Sequence, residues 1–163
     1  MPSLPYLFQI SVSPGGVPKL PVAEARVSRE GVEGDSHRNT ELHGGPDRAI
    51  CLYSLEKLQA LQQEGHPIQA GSAGENFTLA GLDWDQLSPG DRLRIGEDVV
   101  IEIVSFCAPC KHNARWFLEG KFSRMSQKTH PGWSRLYARV VSEGTVRQGD
   151  SIGIERVSQR SVG

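Results

Sequence analysis

Leu4 to Val12 sets Tyr, Phe, Ile and Val among polar residues, a composition that predicts a strand. Ser13, Pro14, Gly15 and Gly16 predict a turn, and Ala23 to Val27 a returning strand that completes a first hairpin. The pattern then changes. Gly31 to Asp47 holds Gly31, Gly34, Asp35, His37, Asn39, His43, Gly44, Gly45 and Pro46, with little apolar content. A structureless stretch of that length in a small domain is either functional or a plain surface loop. Ala49 to Tyr53 is a short apolar strand. Ser54 has the chemistry of an N-cap for a helix over Leu55 to Glu64, with Leu55, Leu58 and Leu61 on one core face and Gly65 closing it.

Further along, Gly71 to Asn76 is a second polar, glycine-rich loop, and Phe77 to Leu79 a short strand. Leu82 to Leu87 leads to a turn at Ser88, Pro89 and Gly90. Asp91 to Ile95 and Val99 to Val104 form the clearest hairpin, turning through Gly96, Glu97 and Asp98. A second hairpin is expected between Tyr137 to Ser142 and Ser151 to Val157. Gly90-Asp91-Arg92-Leu93-Arg94-Ile95 is faintly echoed by Gly149-Asp150-Ser151-Ile152-Gly153-Ile154, as matching edges of a barrel would be. Between the hairpins, Cys110 to Leu118 predicts a helix, and Glu119 to Gly132 is irregular and basic. Many short strands and few helices predict a mostly β protein with a closed or partly closed β-barrel. The 163 residues fit one domain, with no linker dividing residues 1–163.

Charge and cysteine usage narrow the function classes. A net charge of −1 supplies no basic field for nucleic acid. No apolar run approaches the roughly 20 residues of a membrane span. Met1 to Ser13 lacks the basic start and long apolar stretch of a signal peptide. Three cysteines argue against a disulfide framework and for a reducing, cytoplasmic compartment.

Cys110 is the leading chemical candidate. It follows a strand and Pro109, a residue suited to the first turn of a helix. A thiol at a helix start, beside Lys111 and His112 and near Arg115, is expected to ionise below the usual value of about 8.5, and the thiolate attacks sulfur or binds a soft metal. Cys51, inside an apolar strand, reads as buried and inert. Cys107 and Cys110 form a C-x-x-C pair. A thioredoxin-like dithiol needs a βαβ context absent here, and structural zinc usually needs a second pair.

His37, His43, Asp35 and Asp47 have the chemistry for metal binding or acid–base work, although loop histidines more often hold backbone carbonyls. Gly44-Gly45 and Gly71-x-x-Gly74 allow close backbone approach to an anion, and Glu75 and Asn76 add hydrogen-bonding groups. Arg48, Arg115, Lys121, Arg124, Lys128 and Arg135 offer phosphate-binding charge or simply a solvated basic face.

Taken in order, Gly34-Asp35, His43-Gly44-Gly45-Pro46-Asp47-Arg48-Ala49, Leu52-Tyr53-Ser54, Gly71-Ser72-Ala73-Gly74-Glu75-Asn76, Gly81-Leu82, Leu87-x-x-Gly90-Asp91 with Ile95-Gly96, and Pro109-Cys110 resemble the MOSC domain. That domain ends molybdenum-cofactor sulfurases and also occurs as stand-alone bacterial proteins and in amidoxime-reducing enzymes. The motifs span about residues 31–117. The resemblance implies a β-barrel-like fold with a few short helices. It makes Cys110 the family cysteine, with His43, Gly44, Gly45, Asp47, Gly74, Glu75 and Asn76 lining a pocket. Arg48, Lys111 and Arg115 join them in holding molybdopterin and its phosphate.

Two roles follow from the resemblance. In one, Cys110 ligates molybdenum in a cofactor-dependent reductase of N-hydroxylated small molecules, with electrons from a separate donor protein. In the other, Cys110 carries a persulfide received from a cysteine desulfurase that uses pyridoxal phosphate. A non-catalytic module with a structural zinc is a third reading. The sequence departs from the family where many members have an arginine three residues before the cysteine. Cys107 stands there, in a position to resolve a persulfide on Cys110. A C-terminal helical extension and a pyridoxal-phosphate domain are also absent from these residues, so sulfur would come from another protein.

Overall fold

The strands divide into short, fully buried ones such as Ile50–Ser54 and longer ones such as Val99–Cys107 that alternate buried and half-buried side chains over most of their length. A computed structural model describes residues 4–14, 17–35 and 46–157. Its strands are β1 (Tyr6–Val12), β2 (Leu20–Val22), β3 (Glu24–Ser28), β4 (Gly31–Val32), β5 (Ile50–Ser54), β6 (Phe77–Ala80), β7 (Arg92–Ile95), β8 (Val99–Cys107), β9 (Arg135–Ser142), β10 (Gly144–Arg147) and β11 (Ile152–Glu155). The protein is mostly β, as expected. Helix α1 (Leu55–Gln63) starts where Ser54 accepts the Lys57 N–H at 3.1 Å, and it buries Leu55, Leu58 and Leu61. None of the helices described is long and apolar enough to cross a membrane.

Eight strands form one sheet in the order β11-β7-β8-β9-β5-β6-β1-β2, and β10-β3-β4 form a second. Leu7, Ile10, Leu52, Phe77, Leu93, Ile101 and Ala138 are among the fully buried residues of the shared core. The large sheet curls toward a barrel without closing it. β1 meets the segment before β11 at the isolated bridge Tyr6↔Ser151, flanked by backbone bonds from Leu7 to Asp150, Gly149 to Leu7 and Ile152 to Pro5. β2 is short and pairs only with Ile10 to Val12, so the outer β strands never zip into a continuous ladder.

Two pairings differ from the sequence expectation. The return to β1 is made by Leu20–Val22, while Glu24–Ser28 belongs to the other sheet, beside β10 and β4. A bend at Ala23 separates the two strands. The expected hairpin of Tyr137 to Ser142 with Ser151 to Val157 does not form. β9 lies between β8 and β5, and β11 pairs with β7. The two echoing segments are therefore direct partners, with Ile152 opposite Ile95 and Ile154 opposite Leu93. The β7–β8 hairpin forms as expected, with Arg92 opposite Glu102, and β8 runs on to Cys107.

Candidate functional site

The site grows from one face of the central strands. Cys51 on β5 is opposite Tyr137, and Cys107 on β8 is opposite Arg135. Arg135 and Tyr137 are two apart on β9, so all four side chains leave the sheet on the same side. Cys51 and Cys107 are buried. Their thiols are in hydrogen-bonding contact, and this contact, with burial, pushes the Cys51 thiol well above its ordinary range. Burial likewise raises the Tyr137 hydroxyl, with Cys107 adding to the shift.

Beyond Cys107 the chain passes Ala108 and Pro109 to Cys110, whose backbone is extended (φ −131, ψ 175) and whose side chain is half-buried. The expected helix from Cys110 to Leu118 is instead a six-residue 3-10 helix, Lys111–Trp116. The Asn113 side chain caps its start through the Cys110 amide, and the helix ends at Phe117, whose backbone is extended (φ −129, ψ 146). The Cys110 N–H donates to Asn113 Oδ1 at 3.1 Å, and the Asn113 N–H donates back to the Cys110 carbonyl at 2.9 Å. The α-helical N-terminus expected beside Cys110 is thus replaced by the start of a short 3-10 helix.

Arg135 lies beneath this turn. Its Nη1 donates to the Ala73 carbonyl at 2.6 Å, and Nη2 to the Ala108 carbonyl at 3.2 Å and to Asn113 Oδ1 at 3.4 Å. Asn113 Nδ2 donates to the same Ala73 carbonyl at 3.2 Å. The Gly71–Asn76 loop and the Cys110 segment are therefore fastened together. Burial opposes the Arg135 charge, but Cys107, Cys51 and Glu75 around it favour the cation and hold its ionisation above the usual guanidinium range.

Glu75 is fully buried, and neither carboxylate oxygen has a hydrogen-bond partner among the described residues. Burial raises its pKa. The nearby N–H groups of Glu75 itself, Gly71 and Ala73, and the Arg135 charge, pull the other way without prevailing. Asn76 is also buried and spans three segments. Its Oδ1 accepts the Cys51 N–H at 3.0 Å, and its Nδ2 donates to Asp35 Oδ2 at 2.9 Å and to the Ser11 carbonyl at 3.3 Å. Asp35 in turn accepts from Lys19 Nζ at 2.6 Å and from the Ser13 N–H at 2.9 Å. Lys19 and the Asp35 carboxylate are both buried, so the motif Gly34-Asp35 anchors one end of the long polar loop. Gly71 adopts φ +86, and a Cβ there would collide with the Lys19 carbonyl.

The exposed cations sit around this buried floor. Arg48, exposed with Asp47 in the turn Pro46–Arg48, places its guanidinium 5.2 Å from the centre of the Tyr137 ring. Lys111 is exposed beside Cys110. Arg115 donates to the Val17 carbonyl at 2.6 Å and lies over the Trp116 ring. Gly74 is half-buried, with a position for a Cβ 3.2 Å from the Val17 side chain. His37, His43, Gly44 and Gly45 lie outside the described residues. Among the described residues no three His, Cys, Asp or Glu side chains gather to hold a metal ion.

Asn113 and Arg135 are the members that sequence reasoning underrated. Asn113 stands three residues after Cys110, the spacing by which an N3 side chain reaches back to an N-cap amide. Arg135 carries no local signal. It reaches the site only because β9 pairs with β8.

The described residues thus form an open β sheet that presents a half-buried thiol above a buried arginine, beside the Gly71–Asn76 loop. The chain belongs to the MOSC domain family, whose model matches residues 39–153. YflK of Bacillus subtilis strain 168 is 32% identical over 139 residues, covering 84% of this chain and 62% of that protein. YiiM of Escherichia coli K12 is 30% identical over 152 residues, covering 86% of this chain and 66% of YiiM. A Gibberella moniliformis protein named a reductase is 29% identical over 132 residues, 78% of this chain and 23% of its own. The chain thus spans less than two thirds of each of these relatives. The crystal structure of YiiM from Geobacillus stearothermophilus superposes with a TM-score of 0.72 at 26% identity, covering 97% of this chain and 80% of that one.

Proposed function

We propose that this protein binds a molybdenum cofactor through Cys110 and reduces N-hydroxylated small molecules. The observation that carries the reading is the isolation of the Cys110 thiol. It is half-buried at the end of a fixed turn, while Cys51 and Cys107 are buried below. A bare metal ion would need several side chains, and the described residues gather no such set. A pterin cofactor brings its own sulfur ligands, so one soft protein thiolate suits it. The residues present therefore fit the group. Family membership and the relative named a reductase support the same reading.

In this reading Cys110 is the protein ligand to the metal. The exposed Arg48 and Lys111 supply positive charge for the cofactor's phosphate, with Arg115 holding the neighbouring Val17 segment. Asn76 and Asp35 lie deeper and hold the loop that carries Gly74, with Glu75 buried beside them. The bound cofactor supplies two-electron chemistry: the N–O bond of a hydroxylamine breaks, and two electrons and two protons turn it into the amine and water. The electrons come from a separate donor protein.

Purification from a cofactor-competent host tests this. The expected result is molybdenum and pterin near one per chain, lost in Cys110→Ala, with donor-dependent reduction of a hydroxylamine. Wild-type protein without either, and with no loss of activity in Cys110→Ala, would overturn it. A second reading, a persulfide carrier fed by a pyridoxal-phosphate desulfurase, is favoured by the same accessible thiol. Incubation with a cysteine desulfurase would then add one sulfur to Cys110 by mass spectrometry, and none to Cys110→Ala.

A further inference from the structure

We infer that Asn113 and Arg135 are positioning residues for Cys110, locking the backbone that presents its thiol and tying it to the Gly71–Asn76 loop. The inference rests on Cys110 being the reacting thiol. The bonds form a closed ring. The Ala73 carbonyl takes donors from both Arg135 and Asn113, and Asn113 Oδ1 takes donors from both Arg135 and the Cys110 amide. Both residues are at least 95% buried, with Asn113 at 2% and Arg135 at 5% exposure. Neither is placed to touch a ligand from solvent, so their effect passes through Cys110.

Two features make this more than general packing. First, the β8–β9 ladder ends at Cys107↔Arg135. Ala108 and Pro109 have no strand partner after it, and proline has no N–H to offer. The fork of Arg135 on the Ala108 carbonyl and Asn113 carries order past the end of the ladder, up to Cys110. Second, a buried guanidinium normally needs a carboxylate, because uncompensated burial of charge is costly. The direct partners of Arg135 among the described residues are two backbone carbonyls and an amide oxygen. Its fork geometry suits holding those three oxygens at once, which a single ammonium would not do.

The test uses the full chain without cofactor and reads alkylation of each cysteine by iodoacetamide, by peptide mass spectrometry, beside a thermal melt. Asn113→Ala and Arg135→Met should raise the Cys110 rate about tenfold, the scale of a lost hydrogen bond to a charged group, while Cys51 and Cys107 stay protected. Asn113→Asp keeps an acceptor for the Cys110 amide and Arg135 and loses only the donor to Ala73, so its rate should rise clearly less than that of Asn113→Ala. Three outcomes overturn the inference: an unchanged Cys110 rate in Asn113→Ala, Asn113→Asp behaving like Asn113→Ala, or equal exposure of all three cysteines. No metal enters the measurement, so failure of the molybdenum reading leaves this result standing, and the reverse also holds.

Discussion

Cys107 and Arg135 face each other across the β8–β9 ladder, at the position where related sequences are expected to carry an arginine before the cysteine. The cation of this face therefore comes from β9 rather than from the cysteine segment itself. An arginine placed at position 107 would set two guanidinium groups opposite each other in a buried site. Cys107→Arg is expected to lose about 3–5 kcal/mol of stability in urea unfolding, because a second charge is buried without a partner. Cys107→Ala should lose only about 1–2 kcal/mol, as small core truncations do.

Asp35 is the acceptor on which Lys19, Ser13 and Asn76 converge. Asp35→Ala leaves a buried ammonium unpaired and an Asn76 donor unmatched. A loss of about 3–5 kcal/mol is expected by denaturant unfolding. The double variant Lys19→Met with Asp35→Ala should recover much of it, since removing both partners costs less than removing one.

Glu75 gives a pH signature of defined sign. Its folded pKa is raised by burial above the ordinary carboxylate value. The folded state then binds the proton more tightly than the unfolded chain. Stability tied to this group is fully present below the unfolded pKa and is lost as pH rises through the folded one. Glu75→Gln should match the wild type in stability at acid pH and exceed it progressively toward neutral pH. Thermal melts across that range measure the difference. A gap that is constant with pH would show that the carboxyl does not titrate in the fold.

Thiol accessibility should be uneven. Cys51 and Cys107 are buried, and Cys110 is half-exposed. Native protein is expected to react with an aromatic disulfide reagent at one thiol per chain, and Cys110→Ser at none until denaturant is added. Three reactive thiols in the native state would contradict the burial of the β5–β9–β8 face.

The elements that the sequence made legible are those with local causes. Ser54 caps α1 and its leucines repeat at helical spacing, and Gly96 turns the β7–β8 hairpin. The elements it hid depend on distant partners. Nothing near Ala23 says that the chain changes sheets there, and nothing near Ile152 says that its neighbour is Ile95. The site divides in the same way. Cys110, Asp35, Glu75 and Asn76 stand in compact motifs, and the fold gathers all four around one region. Arg135 and the Cys51–Cys107 contact arise only when β9 is inserted between β5 and β8. Cys51, expected to be inert, is buried as such a residue should be, but its thiol touches Cys107.

The bridge between Tyr6 and Ser151 bears on how the chain comes together in time. A ribosome releases β1 well before its partner near residue 151. Until then, that end of β1 has a row of backbone groups waiting for a neighbour. Pairings so distant in sequence slow folding, and waiting strand edges are where nascent chains associate wrongly. That seam is thus stitched only after the strands between its two sides have emerged, and a chain stalled before residue 151 would meet its neighbours with that edge open.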